Sequence, residues 1–380
     1  MFKAGKYVHN GEYAVFQPAH LMDGVGFSDP KIFNLTTEAS RYLGELNAYS
    51  IFASDIDFFI RMSVFREATS SNQIEGATTN LREVLMSKDD LKDQEKRDDW
   101  EEVHNYIEAI NHSIDGLSRR PLAYNLICEA HKLLLAGVRG QSKSPGRVRT
   151  VQNWIGGSSP TQAIFVPPPP NQVGDLMNDL DEYWHESEYG THPLLKIAVL
   201  HYQFETIHPF LDGNGRLGRL LITLQLIDRS ILQKPAFYLS EYIERNRQAY
   251  YESLNFVRNS ENGLDQWVCF FLTGVIETAK KASKTLADSL RLREEYRKTF
   301  AEQLSPHRQR NANKLLDYLF SQPVVNVAMA AQELGCSRQA ANELIRELSR
   351  LAILSEVGDQ KRHRYFVLDD YLKLFTSGGN

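Results

Sequence analysis

The chain has 380 residues, enough for about two or three domains and a sizeable core. With 42% hydrophobic residues, 24% charged residues and a net charge of −5, it is typical of a globular protein and is too acidic to coat nucleic acid over its whole surface. Its three cysteines, Cys128, Cys269 and Cys336, are odd in number and far apart, which favours a reducing compartment over a disulfide framework. No apolar run reaches the roughly 18 residues of a membrane span, and residues 1–13 lack the apolar core of a signal peptide. We therefore expect a cytoplasmic protein that does not use a membrane.

The first third of the chain divides into an arm and a helical region. Residues 1–35 contain Pro18, Pro30 and several glycines without a clear period, so we predict an irregular N-terminal arm. Residues 36–120 are predicted to be helical, because apolar residues recur at helical spacing: Leu43, Leu46, Ile51, Ile56, Phe59 and Ile60.

Residues 121–290 predict a second, mainly helical domain. Its first helix has Pro121 in the first turn and Gly137 near the end. A later segment, THPLLKIAVLHYQFETI at 191–207, is apolar on nearly all sides, which is typical of a helix in the middle of a core. Between them, β-branched and aromatic residues flank the turn signal GGSSP, so residues 147–166 predict a β-hairpin. The prolines at 167–170 would end its second strand, because proline cannot donate to a β-ladder.

A charged helical run follows at 274–304 and stops at Ser305 and Pro306, which we take as the domain boundary, with 291–305 as a helical linker. Residues 306–372 then predict a helix, a second helix, a turn, a third helix and a hairpin, which is the order of a winged helix-turn-helix.

The third of these helices would be the recognition helix, with Ser337 as its N-cap and with polar side chains in position to face a groove: Arg338, Gln339 and Asn342. Residues 306–368 contain nine Lys and Arg against six Asp and Glu, with charge concentrated in QKRHR at 360–364. This excess is small for a DNA-binding domain, so binding to DNA and binding to protein are both left open.

The most informative stretch is HPFLDGNGRLGR, residues 208–219, between the apolar helix and the next one. The N–H groups of Gly213, Asn214 and Gly215 can surround an anion, and the N-terminus of the following helix adds partial positive charge. Arg216 and Arg219 are three residues apart on that helix, close enough to serve one ligand. These residues predict a phosphate site.

Two further side chains of the stretch suggest what is done to the phosphate. Asp212 is a carboxylate inside an anion site, which makes sense if a divalent cation such as Mg²⁺ joins it to phosphate. His208 can be neutral near pH 7 and can accept a proton from a hydroxyl group. A base, a metal ligand and a phosphate cradle together predict phosphoryl or nucleotidyl transfer to a hydroxyl.

The stretch resembles the signature of the Fic family, HPFx[DE]GNGRxxR, at every defined position, and the resemblance extends over about residues 36–370. It implies a mainly α fold, with a helical Fic core carrying a β-hairpin flap, a preceding helical region and a C-terminal winged helix. It also implies transfer of AMP from ATP to a Ser, Thr or Tyr hydroxyl of a target protein or of the protein itself. By this resemblance His208 is the base, Asp212 holds Mg²⁺ and Arg219 binds the γ-phosphate. The nucleotide-binding residues would be Phe210, Leu211, Gly213, Asn214, Gly215, Arg216 and Arg219. Family relatives that phosphorylate replace the GNGR portion, which this sequence keeps.

A second stretch, SSNQIEGATT, matches the inhibitory pattern [ST]xxxE[GN] of the same family with Ser71, Glu75 and Gly76. Glu75 could pair with Arg219 and take the place of the γ-phosphate, leaving ATP in a non-productive pose. The alternative is that the stretch is only a helix end with Gly76 after the last turn.

The resemblance also implies that the hairpin is a flap that pairs with the backbone of a target, with Ile164, Phe165 and Val166 as the docking edge. Candidates for contact with the adenine are Tyr238, Tyr250 and Tyr251.

Two other functions stay open: a transcriptional regulator that senses nucleotide with the same core, and the removal of AMP with Glu75 positioning a water. A homodimer is also left open.

Overall fold

The structure, a computed structural model, describes residues 3–53, 56–137, 140–186, 191–357 and 364–376. It is mainly helical, as predicted, with two small antiparallel sheets. In chain order the helices are α1 (Lys31–Phe52), α2 (Asp57–Ile74), α3 (Leu81–Val84), α4 (Gln94–Leu117), α5 (Tyr124–Leu134), α6 (Pro170–His185), α7 (Pro193–Ile207), α8 (Asn214–Asp228), α9 (Ser240–Arg245), α10 (Arg247–Asn259), α11 (Gly263–Gln303), α12 (Pro306–Ser321), α13 (Val327–Leu334), α14 (Arg338–Arg350) and α15 (Asp369–Thr376). The strands are β1 (Gly5–Asn10), β2 (Tyr13–Pro18), β3 (Val324–Asn326), β4 (Ser355–Val357) and β5 (Tyr365–Val367).

Helix α7 lies in the middle of the core, as its apolar sequence predicted. Almost every residue of the helix from Leu194 to Ile207 is buried, and α1, α6, α8 and α11 surround it. Pro193 occupies the first turn, where proline costs no hydrogen bond, and His192 accepts a hydrogen bond from the N–H of Leu194. The helix therefore delivers its C-terminal residue, and the loop after it, to a fixed place in the molecule.

The N-terminal arm is not irregular, contrary to our prediction. β1 and β2 form an antiparallel hairpin with a register from Gly5 opposite Pro18 to Asn10 opposite Tyr13. The two-residue turn is Gly11 and Glu12, and Gly11 has a φ of +72°. Glycine at the first position of a two-residue turn is a hairpin signal, and we gave it too little weight beside the scattered prolines and glycines. We refer below to residues 5–18 as the N-terminal hairpin.

The second predicted hairpin is present only in reduced form. In residues 147–166 the structure has a single antiparallel bridge, Ile155 to Phe165, instead of two regular strands. The prolines at 160 and 167–170 leave too few donors for a longer ladder. We call residues 154–166 the flap.

The C-terminal unit has the predicted order of elements, and its three-stranded sheet runs β3-β5-β4. Ser337 caps α14 by accepting the N–H of Ala340 at 3.2 Å, and Arg338 and Gln339 are exposed whereas Asn342 is half-buried. Of the basic stretch 360–364, only Arg364 lies within the described residues.

The predicted linker is not a separate element. α11 continues without a break through residues 290 and 291, and its last turns pack on α12 and α15. Arg293 donates to Asp317 at 2.5 Å, and the Tyr296 hydroxyl lies 3.4 Å from Asp370. The C-terminal unit is therefore fixed to the rest of the molecule. None of the described helices is both long and apolar enough to span a membrane.

Candidate functional site

The stretch 208–219 forms the loop between α7 and α8 and the first turns of α8. His208 ends α7 in a left-handed conformation, with φ 50° and ψ 60°, and its N–H donates to the Phe204 carbonyl at 2.9 Å. Gly213 precedes α8 with φ 76°, which glycine adopts without the strain that a side chain would bring. Two left-handed residues thus turn the chain sharply, so that His208 and the N-terminus of α8 share one loop.

Asn214 holds this loop closed from inside. Its Oδ1 accepts the Phe210 N–H at 2.8 Å, and its Nδ2 donates to the Phe210 carbonyl at 2.9 Å. The side chain is buried, so a phosphate contact from Asn214 can come only from its backbone N–H. Phe210 is fully buried as well and serves packing, whereas Leu211 is partly exposed.

Arg149 fastens the loop from the segment before the flap. Its guanidinium donates to four backbone carbonyls, those of His208 at 2.9 Å, Pro168 at 2.5 Å, Ile207 at 3.2 Å and Val151 at 3.5 Å. Asn153 adds hydrogen bonds to the carbonyls of His208 and Phe210 at 3.1 and 2.9 Å. Neither residue was predicted to belong to the site, because nothing in the local pattern of RVRTVQN distinguishes them from hairpin residues.

His131 on α5 is a third residue that sequence reasoning missed. Its ring stacks on Phe210 with centroids 3.8 Å apart. The Gly146 N–H donates to Nδ1 at 2.8 Å, so Nε2 carries the proton and donates to the Asp212 carbonyl at 3.0 Å. Burial lowers the pKa of His131 to about 4, so the ring is neutral and supports the loop without adding charge.

His208 itself is also neutral in this environment. Burial lowers its pKa to about 4, and the Arg149 charge acts in the same direction. Nδ1 faces the Glu205 carbonyl at 3.4 Å, which favours the tautomer whose Nε2 lone pair is free to accept a proton. This is the protonation state that a general base requires.

Arg216 and Asp212 lie on the other side of the loop. Arg216 is buried and donates to Glu102 and to Asn72, both at 3.2 Å. The Asp212 side chain is 46% exposed, and its Oδ1 accepts the Gly213 N–H at 2.6 Å and lies 3.7 Å from Arg216. Within the described ranges no three His, Cys, Asp or Glu side chains converge to hold a metal. A single exposed carboxylate fits a cation that arrives with phosphate and takes its other ligands from phosphate and water.

Arg219, on the first turns of α8, is enclosed by α2. Its Nη2 donates to Oε1 of Glu75 at 2.7 Å and to the Ser71 carbonyl at 2.9 Å, and its Nε donates to Ser71 Oγ at 2.9 Å. The Arg219 side chain is 1% exposed, whereas that of Glu75 is 41% exposed. Burial alone would raise the pKa of Glu75, but the charge and hydrogen bond of Arg219, together with the charges of Arg216 and His208, hold the pKa below its ordinary value. The ion pair considered from the sequence is therefore present.

Gly215 explains how the carboxylate comes so close to α8. A Cβ at this position would lie 2.5 Å from Oε1 of Glu75 and 3.0 Å from Nη1 of Arg219. Only glycine leaves room for a carboxylate over the N-terminus of the helix, where partial positive charge favours an anion. Gly76 follows the end of α2 with φ 106°. The SSNQIEG stretch is therefore also a helix end, as the alternative interpretation expected.

The three tyrosines proposed for the adenine are in different environments. Tyr250 is fully buried, its hydroxyl pairs with His201 at 2.9 Å and its ring packs on Trp267, so its face cannot receive a base. Tyr238 is buried and lies within electrostatic range of Glu67, which is one turn before Ser71 on α2. Tyr251 is 39% exposed and within electrostatic range of Glu75 and Arg219. Tyr251 is exposed enough to contact an adenine, whereas Tyr250 is buried and does not offer its ring to a base.

The docking edge predicted in the flap is largely covered. Ile164 is 74% exposed, but Phe165 and Val166 are buried. The Val166 carbonyl already accepts a hydrogen bond from the Phe16 N–H at 2.9 Å. Only the Ile164 side chain of the predicted edge is open to a partner.

Family models match three parts of the chain. The Fic/DOC family matches residues 121–226, the Fic/DOC family N-terminal domain matches 33–115, and an HTH DNA binding domain matches 313–364. Among solved structures, a Fic family protein from Desulfovibrio desulfuricans superposes with a TM-score of 0.57 at 23% identity, covering 90% of this chain and 97% of the other. A Fic domain containing signaling protein from Bacteroides thetaiotaomicron gives 0.52 at 19% identity, covering 68% and 97%. These likenesses show the fold.

Curated relatives are similar over part of the chain. Protein adenylyltransferase fic-1 of Caenorhabditis elegans is 28% identical over 149 residues, which are 39% of this chain and 27% of that protein. A probable protein adenylyltransferase of Aquifex aeolicus is 38% identical over 87 residues, 23% of this chain and 27% of that protein. Protein adenylyltransferase Fic of Nematostella vectensis is 28% identical over 202 residues, 52% and 44% of the two chains. The chain thus spans less than half the length of each of these relatives. The motif and two successive family models agree, so the chain carries a Fic/DOC N-terminal domain at residues 33–115 and a Fic/DOC domain at residues 121–226.

Proposed function

We propose that this chain is an autoinhibited protein adenylyltransferase. It would transfer AMP from ATP to a serine, threonine or tyrosine hydroxyl of a target protein or of the chain itself, and release pyrophosphate. The relatives named protein adenylyltransferase support the reaction class, and the loop between α7 and α8 supplies groups that suit it.

The triphosphate would bind at the N-terminus of α8. The first N–H groups of a helix have no partner within the helix and attract anions. Arg216 and Arg219 emerge from the same turns, and Asp212 carries the exposed carboxylate of the loop. Asp212 would hold Mg²⁺, which would neutralise phosphate charge when bound with ATP. Tyr251 is the member of the tyrosine set that is open enough to meet the base.

His208 would act as the general base. The neutral imidazole takes the proton of the acceptor hydroxyl at Nε2, and the oxygen attacks the α-phosphorus of ATP. The bond from that phosphorus to the bridging oxygen breaks, and pyrophosphate leaves as a phosphodiester to AMP forms. Arg149, Asn153 and His131 would act only by keeping the loop in place.

The single observation that supports an inhibited state is the ion pair between Glu75 and Arg219 at 2.7 Å. The buried guanidinium has its Nε and Nη2 donors committed to α2, and the Glu75 carboxylate lies where an anion bound over Gly215 would lie. A γ-phosphate would have to displace Glu75 to pair with Arg219. We infer that ATP binds in a productive pose only after α2 moves or Glu75 is displaced.

The C-terminal unit would add a binding function. Its match to an HTH DNA binding domain and the exposed Arg338 and Gln339 at the start of α14 support DNA as its partner. The alternative is a protein partner. Measuring the affinity for duplex DNA at several salt concentrations would separate the two, because affinity for DNA falls as salt rises.

The reaction is tested by incubating the protein with ATP labelled at the α-phosphate, Mg²⁺ and a cell extract, in a Glu75→Gly background that relieves inhibition. We expect label in protein, and we expect His208→Ala to lower its rate of incorporation by about 10²–10⁴-fold, the usual contribution of a general base. ATP affinity, measured by calorimetry, should stay unchanged because the phosphate contacts are made by other residues. Equal incorporation by the His208→Ala variant would remove His208 from the reaction, and no incorporation by the parent would refute the proposed activity.

A further inference from the structure

The N-terminal hairpin binds the flap much as a strand from another protein would. The Phe16 N–H donates to the Val166 carbonyl at 2.9 Å, and the rings of Phe16 and Phe165 are 6.0 Å apart. A main-chain hydrogen bond beside a packed pair of side chains is the kind of contact that β-strand addition uses. The molecule thus places a segment of its own beside the edge at which a target is expected.

Tyr7 is the hydroxyl-bearing residue on the inner face of this hairpin. It stands directly opposite Phe16 in the β-ladder, so both side chains point to the same face, and their rings meet edge to face at 5.0 Å. That face looks toward Phe165 and the flap. Tyr7 remains 48% exposed, whereas Phe16 is fully buried.

Arg258 connects the surroundings of Tyr7 with the end of α7. Its guanidinium lies 3.5 Å over the Phe165 ring and donates to Thr206, two residues before His208, at 3.3 Å. Burial lowers the pKa of Arg258, and the hydroxyls of Tyr202 and Tyr7 act against that shift, which places Tyr7 within electrostatic range of the guanidinium. Arg258 is likewise one of the charges that act on the pKa of His208, after burial, Arg149 and Glu75. Arg258 therefore links the flap ring that lies beside Phe16 to the last turn of α7, which ends at His208.

The other tyrosine of the hairpin provides a contrast. Tyr13 stands opposite Asn10, so it points to the opposite face of the ladder from Tyr7. Its hydroxyl lies 3.5 Å from Nδ2 of Asn10, at the turn of the hairpin. The two tyrosines of this hairpin thus lie on opposite faces of it.

We propose that Tyr7 is the acceptor of self-modification, a proposal that rests on the adenylyltransferase function above. Nε2 of His208 takes the phenolic proton, and the Tyr7 oxygen attacks the α-phosphorus of ATP. The bond between the α-phosphorus and the oxygen bridging to the β-phosphorus breaks, so pyrophosphate leaves and a tyrosyl-AMP phosphodiester forms. The transfer is intramolecular, because the N-terminal hairpin is held on the flap of its own chain.

The test uses the full chain carrying Glu75→Gly, incubated with ATP and Mg²⁺ and then digested for fragment-ion mass mapping. We expect the mass of one AMP on Tyr7. Tyr7→Phe, which keeps the ring packed on Phe16, should lose most of the self-incorporated label, and the matched control Tyr13→Phe should keep it. In a mixture with the active chain, a Glu75→Gly, His208→Ala chain distinguished by an affinity tag should stay unlabelled at Tyr7.

Label on other residues, with no effect of Tyr7→Phe, would overturn the assignment of Tyr7 and leave the proposed function standing. Rapid labelling of Tyr7 on the tagged inactive chain would overturn the intramolecular step. If the Tyr7→Phe variant still labels a target in cell extract, its loss of self-labelling is due to the missing acceptor hydroxyl and not to an inactive enzyme. If neither self nor target is labelled by the Glu75→Gly chain, the adenylyltransferase proposal itself fails.

Discussion

Glu205 is a buried carboxyl group three residues before His208, and no sequence pattern pointed to it. Its Oε1 has no hydrogen-bond partner among the described residues, and a Cβ on Gly218 would lie 2.3 Å from that atom. Burial raises the pKa of Glu205 to about 7, with the Arg219 charge acting in the opposite direction. The third glycine of the 208–219 stretch therefore has a packing reason, because any side chain at 218 would collide with Glu205.

Glu205 should make the stability of the protein depend on pH. Its folded pKa of about 7 lies above its ordinary value of 4.5, so the folded state holds the proton more tightly than the unfolded state. Its favourable contribution is complete below pH 4.5 and is lost as pH rises through about 7, with a total of up to about 3 kcal/mol. Glu205→Gln, which is uncharged at all pH values, should gain in Tm relative to wild type between about pH 5 and about pH 8. A constant difference in Tm across that range would show that Glu205 does not titrate there.

Residues of the site differ in how far sequence could identify them. His208, Asp212, Arg216 and Arg219 occupy one motif with fixed spacing, so resemblance finds them, and the pairing of Glu75 with Arg219 follows from opposite charge once both motifs are recognised. Its inhibitory role stays a prediction. The residues that hold the loop in place could not be found in this way. They are Arg149, Asn153 and His131, which contact the loop from segments far from it in sequence. Their importance comes from tertiary contacts, which no local spacing encodes.

Helix α2 joins the loop to the C-terminal unit. Its C-terminal turns present Ser71 and Glu75 to Arg219, and its N-terminal turn packs on the winged helix. The Phe58 ring meets Phe320 of α12 edge to face at 5.2 Å and Tyr371 of α15 at 6.2 Å. The helix that presents Ser71 and Glu75 is therefore held in place at both of its ends.

Removing the contact at the N-terminal end of α2 should weaken inhibition. We expect Phe58→Ala to lower the free energy of unfolding by about 3–5 kcal/mol, the usual cost of truncating a buried phenylalanine, and to raise the basal rate of AMP transfer. The control is Phe33→Ala on α1, whose side chain is 77% exposed, and it should change neither quantity. Stability is measured by urea denaturation and transfer by label incorporation. A destabilised Phe58→Ala variant with an unchanged basal rate would show that the winged helix does not influence α2.

The two hairpins show where local patterns fail for whole elements. Residues 5–18 contained a hairpin turn at Gly11 and Glu12, but the surrounding glycines and prolines obscured it. Residues 147–166 contained a turn signal and β-branched residues, yet only Ile155 and Phe165 pair, and the flap is also held by the N-terminal hairpin and Arg258. β-Structure depends on partners from elsewhere in the chain, so short strands are poorly determined by their own residues.

At the scale of the whole molecule, helical periodicity was sufficient for the fold class, for the central position of α7 and for the order of elements in the winged helix. The division into domains was harder to predict. The change to charged residues after 274 suggested a linker, but charge on one face of a long helix is compatible with packing on the other, and α11 bridges the two units. Where units share a continuous helix, composition alone does not reveal a boundary.

The central claim is that Glu75 and the γ-phosphate of ATP compete for Arg219. The measurement that tests it is the rate of AMP incorporation by the wild type, Glu75→Gly, Arg219→Ala and the double variant, with Gln73→Gly as a control for loosening the end of α2. We expect Glu75→Gly to raise the rate roughly 5–150-fold, the range given by a coupling of about 1–3 kcal/mol between two sites. Adding Arg219→Ala should cancel the gain, because residues that share one partner are not additive, and Gln73→Gly should stay near the wild-type rate. An unchanged or lower rate in Glu75→Gly, with the fold intact by circular dichroism, would contradict the claim.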